Sequence, residues 1–354
     1  GWVVSRLGRW RGVAIAGGAV LMGTAMLGLF AVAPPFAPLL WFALMLALLF
    51  SAYSFLTIAF YTRGVARAAD LGPRGHLRLA GWREGGALAG VSLAALTPAA
   101  LAPLMPAPYA GFALGFAVLC ILAVLAMRAD WQAGIAKAPQ GIGFRTVLAD
   151  RLARRLLLLA LINAAPLAVT STLFLFYVES RLAAPGWEGP LLLLFFVAAA
   201  VAAPIWARAA SANGAKPVLL LAMGLAILAF GWAATLGPGD TILFGIICVL
   251  SGAAIGADLV ILPALFARRL AEIGGGSGDT TAGQGFGLWS FASKFTLAFA
   301  AVTLLPVLEA TGFTAGGQNP ETALATLGAL YALVPCALKI LAVVLLATTT
   351  VPED

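Results

Sequence analysis

Long runs of apolar residues alternate along this chain with short polar connections. Runs of about 20 apolar residues are long enough to span a bilayer as helices. Polar and apolar residues do not alternate within them, which excludes the strands of a membrane β-barrel. The pattern predicts an all-α polytopic membrane protein with ten transmembrane helices, at 13–33, 37–62, 77–102, 108–128, 154–178, 189–207, 217–237, 241–266, 285–308 and 326–349.

The composition agrees with this prediction. Hydrophobic residues make up 62% of the 354 residues and charged residues 10%, whereas about 25% of a soluble domain is charged. A soluble enzyme is therefore excluded, and no catalytic motif such as Gly-x-Ser-x-Gly is present. The three cysteines, Cys120, Cys248 and Cys336, lie within apolar runs, and His76 is the single histidine. We expect no metal site and no enzymatic activity.

The basic residues predict the orientation of the chain. Of its 21 Lys and Arg residues, 18 lie at or beside one set of connections, and Arg181 alone lies in the opposite set. The positive-inside rule places the first set in the cytoplasm. We expect a multi-pass protein of a bacterial inner membrane with a cytoplasmic C-terminus. The basic residues form no concentrated face of the kind that nucleic acids require, so no nucleic-acid partner is expected.

The longest cytoplasmic connection divides the chain. It predicts an N-terminal bundle over 1–128, a linker over 129–153 and a C-terminal bundle over 154–354. Residues 204–217 read as a degraded copy of 1–12, and four spans follow each copy. Two spans precede the second copy and none precedes the first. If the two halves are parallel repeats, we expect ten helices of an inferred twelve, numbers 3–6 and 7–12, with the first two missing.

Several motifs resemble those of a known family. They are a basic loop of the form S-R-x-G-R at 5–9, Asn163–Pro166 with Thr172–Val178, Gly256–Leu259 with Pro263–Leu265, Gly285–Phe295, and Gly312–Phe313. The chain resembles the major facilitator superfamily and, within it, the glycoside–pentoside–hexuronide:cation symporters, the branch of melibiose permease. The resemblance implies a major facilitator fold and alternating access. It also implies uptake of a small solute, sugar or sugar-like, coupled to H⁺ or Na⁺, with no other cofactor.

The resemblance also indicates residues for cation coupling. Sugar-transporting members of this branch hold the cation with acidic residues on their second and fourth helices, and Thr57 stands at the matching position of the fourth. Asp258 is an acidic residue inside a predicted span, where a charge is costly and usually functional. Thr57 and Asp258 are therefore the candidate coupling residues. For Asp258, the alternative is a structural ion pair with a Lys or Arg residue.

Three residues are candidates for solute binding on charge and resemblance. Arg83 matches an arginine that meets the solute, although it can equally be a positive-inside anchor. Tyr61 matches an aromatic residue that stacks on the solute, with an interfacial belt position as the alternative. Lys294 lies about 13 Å into its predicted helix, so we expect it to face the cavity between the bundles unless it forms a structural ion pair.

The remaining predictions concern two hydrogen-bonding residues, one lysine and two glycines. Asn163 and Thr172 offer hydrogen-bonding groups to the solute, or bonds between helices. Lys339 is expected to pack or to reach towards the membrane surface, without a role in function. Gly252 and Gly256 form a small-x-x-x-small face that predicts close helix packing.

Two other functions remain open at this point. The few polar groups in the spans also suit transport of an amphiphile such as a lysolipid. A non-transporting membrane scaffold or assembly factor is favoured if coupling carboxylates are absent. In each case the expected partners are the lipid bilayer and, for a transporter, a small solute, and we expect a monomer.

Overall fold

The structure is a computed structural model that describes residues 11–68, 71–72, 75–129, 144–274 and 278–350. The described residues are all-helical apart from their connections. The helices are α1 (Arg11–Phe30), α2 (Pro38–Ala68), α3 (Gly75–Leu101), α4 (Pro108–Ala126), α5 (Phe144–Ala149), α6 (Arg151–Phe176), α7 (Glu188–Asn213), α8 (Ala215–Ala233), α9 (Thr241–Ile273), α10 (Gly278–Glu309) and α11 (Glu321–Ala347).

A helix coincides with each of the ten predicted spans, which confirms the all-α fold class. Nine of the described helices are long and apolar enough to cross a membrane. They do not include α3, a helix of 27 residues whose first ten residues carry Arg78, Arg83 and Glu84. The short α5 falls in the predicted linker 129–153, of which residues 130–143 lie outside the described residues. The repeat copy at 1–12 and its S-R-x-G-R loop also lie largely outside them.

The described residues form two compact units. The first unit takes its residues from Gly1–Asp70, Leu93–Val147 and Leu270–Ser290. Within it, α1 packs against α2 and α4. The buried residues Ile15 and Ala59 form a small core with Val124 and other partly buried side chains. The indole Nε1 of Trp41 donates to the backbone carbonyl of Gly28 at 2.8 Å, which ties α2 to the end of α1.

The second unit takes its residues from Leu71–Ser92, Leu148–Arg269 and Phe291–Asp354. Its core surrounds a group of aromatic rings, in which Tyr177 and Tyr331 stack with centroids 4.1 Å apart. The buried hydroxyl of Tyr177 donates to the carbonyl of Ala233 at 2.6 Å, so its polar atom is satisfied in an apolar setting. A π-helical turn, Tyr177–Arg181, continues α6. Whether the chain divides at the linker 129–153 stays a prediction.

Two glycines bring α7 and α9 into backbone contact. A Cβ atom on Gly252 would overlap the carbonyl group of Phe195, and one on Gly256 would lie 2.9 Å from the carbonyl oxygen of Ala199. Both partners are backbone atoms, which cannot turn aside as a flexible side chain would. The structure therefore confirms that Gly252 and Gly256 mediate close helix packing.

We expect Gly256→Ala to destabilise the protein by about 1–3 kcal/mol, because the added methyl group must separate α7 from α9. Gly224→Ala is the matched control, since α8 leaves open space around that position. The control is expected to leave stability unchanged or to raise it by up to about 1 kcal/mol, because alanine favours helix. Thermal unfolding in lipid nanodiscs measures both variants. Equal stability of the two would contradict the close packing.

Charged side chains hold the helix ends of the second unit. Asp150 caps α6 by accepting from the backbone N–H of Ala153 at 2.8 Å, and Arg269 Nε donates to the same carboxylate at 3.0 Å. The hydrogen bond from Arg269 is the main reason that the pKa of Asp150 lies below its ordinary value. This pair therefore stays ionised at neutral pH and ties the start of α6 to the end of α9. Lys216 Nζ donates to the carbonyls of Ala347 and Thr349 at the end of α11.

Candidate functional site

Three polar side chains meet inside the second unit, from three different helices. Asn163 on α6, Asp258 on α9 and Lys339 on α11 are 8%, 7% and 5% exposed. The ammonium group of Lys339 donates to Oδ1 of Asn163 at 2.7 Å and forms an ion pair with Oδ2 of Asp258. We call these three residues the polar cluster. Opposite charges that are removed from water require this kind of pairing, because an isolated buried charge is very costly.

The polar cluster borders a cavity. Asn163, Asp258 and Lys339 line a small cavity, together with apolar side chains from α6, α7, α8, α9 and α11. The second carboxylate oxygen of Asp258, Oδ1, is buried and has no hydrogen-bond partner among the described residues. A buried acceptor without a donor loses its hydration without compensation. The cluster therefore offers one strong, unused acceptor to the cavity.

A larger apolar pocket adjoins this cavity. The aromatic rings that line it are Phe174, Phe195, Phe196, Phe230, Phe244 and Tyr331. We call it the aromatic pocket. It shares five lining residues with the cavity of the polar cluster, namely Leu167, Thr170, Phe195, Phe230 and Ser251. The two spaces are therefore neighbours, one with a polar end and the other with an aromatic wall.

Helix packing positions these side chains. The backbone contact at Gly252 brings Phe195 of α7 against α9, nearly two turns before Asp258. Pro166 and Pro335 lie inside α6 and α11, close in sequence to Asn163 and Lys339. A proline in a membrane helix removes one backbone hydrogen bond and locally opens the helix. Polar side chains thus gather where three helices are locally irregular or closely packed.

The structure brings together two of the predicted site residues. Asn163 and Asp258 both lie in the polar cluster, and for Asp258 the predicted alternative of a basic partner is what the structure shows. Of the two expectations for Lys339, packing inside the unit is what the structure shows, and its ammonium group does not reach towards the membrane surface. It is buried beside Asp258, where the pairing of opposite charges outweighs the gain from reaching water.

The other predicted residues lie elsewhere. Thr172 donates to the carbonyl of Ala168 in its own helix at 2.8 Å. Lys294 is exposed on α10, and Thr57 is half-buried on α2. Tyr61 packs on Phe286 within the first unit, with ring centroids 4.5 Å apart. These observations test no functional role, so the roles stay predictions.

Arg83 forms a local ion pair on α3. Its Nε donates to Oε1 of Glu84 at 2.7 Å, and the two side chains are 15% and 11% exposed. A surface anchor would leave its guanidinium in open water, whereas this pair is largely enclosed. The role of Arg83 in solute binding stays a prediction.

Sequence reasoning undervalued Lys339. A usable signal was present, because a carboxylate inside a span needs a cation and only two lysines lie within predicted spans, Lys294 and Lys339. The position of each lysine along its helix does not show which way its side chain faces, so it could not indicate which of the two pairs with the carboxylate.

Comparison with known proteins shows the family to which this chain belongs. The sequence matches the family described as MFS/sugar transport protein over residues 3–353. The chain therefore belongs to this family, and it is a membrane transporter and not an enzyme. No protein of curated function matches the chain.

Solved structures of transporters share the fold. A bacterial homologue of the iron transporter ferroportin, in an outward-facing state, is 18% identical with a TM-score of 0.66, covering 98% of this chain and 86% of that one. The E. coli fucose:proton symporter is 17% identical with a TM-score of 0.59 and the same coverage. The human organic anion transporter MFSD10 (TETRAN) is 17% identical with a TM-score of 0.54, covering 95% and 78%. At these identities the similarity establishes the major facilitator fold alone.

Proposed function

We propose that this chain is a secondary active transporter that moves a small solute, sugar or sugar-like, by alternating access and in symport with H⁺. The proposal includes membership of the melibiose-permease-like branch, a monomeric state, and a place in a bacterial inner membrane with the C-terminus in the cytoplasm. The family assignment favours transport over the scaffold role that the sequence left open. The fucose:proton symporter among the structural neighbours is a precedent for proton-coupled sugar transport on this fold.

The observation that carries the proposal is the buried Asp258–Lys339 pair. Both charges lie inside apolar helices, and the pair is neutral as a whole. Ionisable groups inside membrane helices are costly, and they commonly mark ion or proton pathways. Protonation of Asp258 would leave Lys339 without its counter-charge, so proton binding and the arrangement of α9 and α11 are energetically linked. Such a link between a bound proton and helix arrangement is what coupled transport requires.

The polar cluster suits a proton better than a sodium ion. A hard cation needs several oxygen ligands with little positive charge nearby. Here the ammonium group of Lys339 already takes one carboxylate oxygen of Asp258 and the amide oxygen of Asn163. A sodium ion in this place would be repelled by Lys339.

Proteoliposomes that enclose a pH-sensitive dye test the proposal. We expect one or more members of a panel of neutral mono- and disaccharides to drive proton entry. Asp258→Asn is expected to abolish this proton entry while solute exchange across the membrane continues, because the variant cannot release a proton. Asp240→Asn is the matched control, since the Asp240 carboxylate accepts a hydrogen bond from the backbone N–H of Gly237 in the loop before α9, and the amide oxygen of asparagine can accept the same bond.

Each other outcome has a definite meaning. Uptake that depends on Na⁺ and moves no protons would overturn the choice of ion. Proton entry that is undiminished in Asp258→Asn would remove Asp258 from coupling. A complete lack of transport across the panel would direct the search to the second candidate solute.

That second candidate is an amphiphile. The specific observation in its favour is the aromatic pocket, whose lining is predominantly apolar and aromatic, as in most ligand sites. A sugar alone would leave such a surface poorly matched.

A further inference from the structure

The cavity of the polar cluster and the aromatic pocket lie side by side within one unit. We propose that together they form one binding site for a neutral amphiphile, with a hydroxyl group at the polar cluster and an apolar body in the aromatic pocket. The inference deepens the proposed function and rests on it for the claim that this compound is transported. Its binding is argued from the geometry of the second unit alone.

The polar end selects a group that both donates and accepts hydrogen bonds. Oδ1 of Asp258 is buried and lacks a donor among the described residues, and Asp258 is one of the residues that line the cavity. Lys339 donates to Asn163 and to Asp258, which leaves the third N–H group of its ammonium available. A hydroxyl group satisfies both needs at once, because it donates to the carboxylate and accepts from the ammonium.

Charge excludes the other common head groups. The polar cluster holds one negative and one positive charge, so it is neutral before a ligand arrives. An ammonium head group would be attracted by Asp258 but repelled by Lys339, which lies beside it. A carboxylate or phosphate head group would be attracted by Lys339 but repelled by Asp258. In a buried site an uncompensated charge is costly. A neutral hydroxyl group adds no charge and is the best match.

The aromatic pocket selects an apolar body. Four hydroxyl side chains border it, those of Thr170, Ser171, Ser251 and Tyr331. Ser171 lies at the exposed edge, and Thr170 and Ser251 are already used within their own helices. Thr170 Oγ1 donates to the carbonyl of Pro166 at 3.1 Å, and Ser251 Oγ donates to the carbonyl of Ile247 at 2.6 Å. The remaining wall is aromatic and aliphatic, so a second polar group on the ligand would lose its hydration there. An alkyl or aryl body fills the pocket favourably.

Protection of a cysteine from alkylation tests binding without transport. The background variant replaces Cys120 and Cys336 with serine and Cys248 with alanine, and Ser171→Cys then places one thiol at the exposed edge of the aromatic pocket. Its reaction rate with N-ethylmaleimide is measured in lipid nanodiscs. Leu158→Cys is the control, on the same helix, exposed, and absent from the pocket lining.

We expect n-decanol to slow alkylation of Ser171→Cys in a saturable manner and to leave Leu158→Cys unchanged. Decylamine and decanoate, with the same chain and opposite charges, are expected to protect at least about tenfold more weakly, the factor that one hydrogen bond to a charged group provides. Adding Asp258→Asn to the Ser171→Cys variant should weaken protection by n-decanol by a similar factor.

Several results would overturn the inference. These are equal protection by the three compounds, protection of the Leu158→Cys control, or undiminished protection when Asp258→Asn is added. Failure of the proposed function is distinguishable from failure of this inference. Saturable protection by n-decanol without decanol-driven proton entry removes the transport proposal and leaves the site in place. Sugar-driven proton entry without any protection removes this site and leaves the transporter.

Discussion

Lys339→Met is expected to lower the free energy of unfolding by about 3–5 kcal/mol, the usual cost of breaking a buried ion pair by removing one partner. The variant leaves the carboxylate of Asp258 enclosed at 7% exposure without its counter-charge. It also removes the donor to Asn163 Oδ1. Methionine has nearly the length of lysine, so lost packing contributes little. Thermal unfolding of the purified protein in lipid nanodiscs, followed by tryptophan fluorescence, measures the effect.

A second variant separates charge from packing. The double variant Asp258→Asn/Lys339→Met removes both charges, and it should recover most of the lost stability, because neutral replacement of a buried pair is often harmless. Lys294→Met is the matched control, since this lysine lies in an apolar helix but is exposed, and its loss should cost less than about 1 kcal/mol. If the double variant were as unstable as the single one, the loss would come from packing and not from charge.

Arg83→Ala is expected to reduce solute uptake by about 100-fold, within the range for losing hydrogen bonds to a charged group. The guanidinium of Arg83 pairs with Glu84 and is largely enclosed, so it is held in one orientation and is well placed to present its planar donors to a solute. Arg83→Lys should rescue little, because lysine lacks this planar fork. Uptake of the identified solute by proteoliposomes gives the measurement.

The matched control for this prediction is Arg78→Ala. Arg78 is exposed on the same helix, and its removal should leave uptake within about twofold of the wild type, since it contributes one of many positive-inside charges. The amount of protein in the membrane should be the same for all three variants. Near-normal uptake by Arg83→Ala would return Arg83 to the role of a membrane anchor.

The positions of the ten long helices could be predicted because hydropathy depends on composition over a long window. The direction in which each side chain faces could not. These helices are apolar on nearly all sides, so no polar stripe marks the face that packs inwards. Thr170 and Thr172 illustrate the difficulty. At about 100° per residue they point to nearly opposite sides of α6, and only Thr170 borders the cavities.

The glycine contact and the acidic site residue could be predicted from the sequence for a different reason. Gly252 and Gly256 carry a spacing whose physical meaning is the same in any membrane helix, and Asp258 is costly wherever it faces. Lys339 was missed because its partner lies 81 residues away in the sequence. Pairing at that distance depends on the tilt and rotation of two helices, which are set by packing and not by local sequence.

The contact between α7 and α9 has a mechanical consequence. Where two helices meet through backbone atoms and glycine, no side chains lie between them that could change rotamer and let one helix slide along the other. Interfaces of this kind resist shear, so α7 and α9 must move as a single rigid body. Sliding within the unit then falls to helices outside this contact. Among them, α6 and α11 have interior prolines, and α6 continues into the π-helical turn Tyr177–Arg181. The α7–α9 pair is therefore the rigid part of the unit, and α6 and α11 can move relative to it.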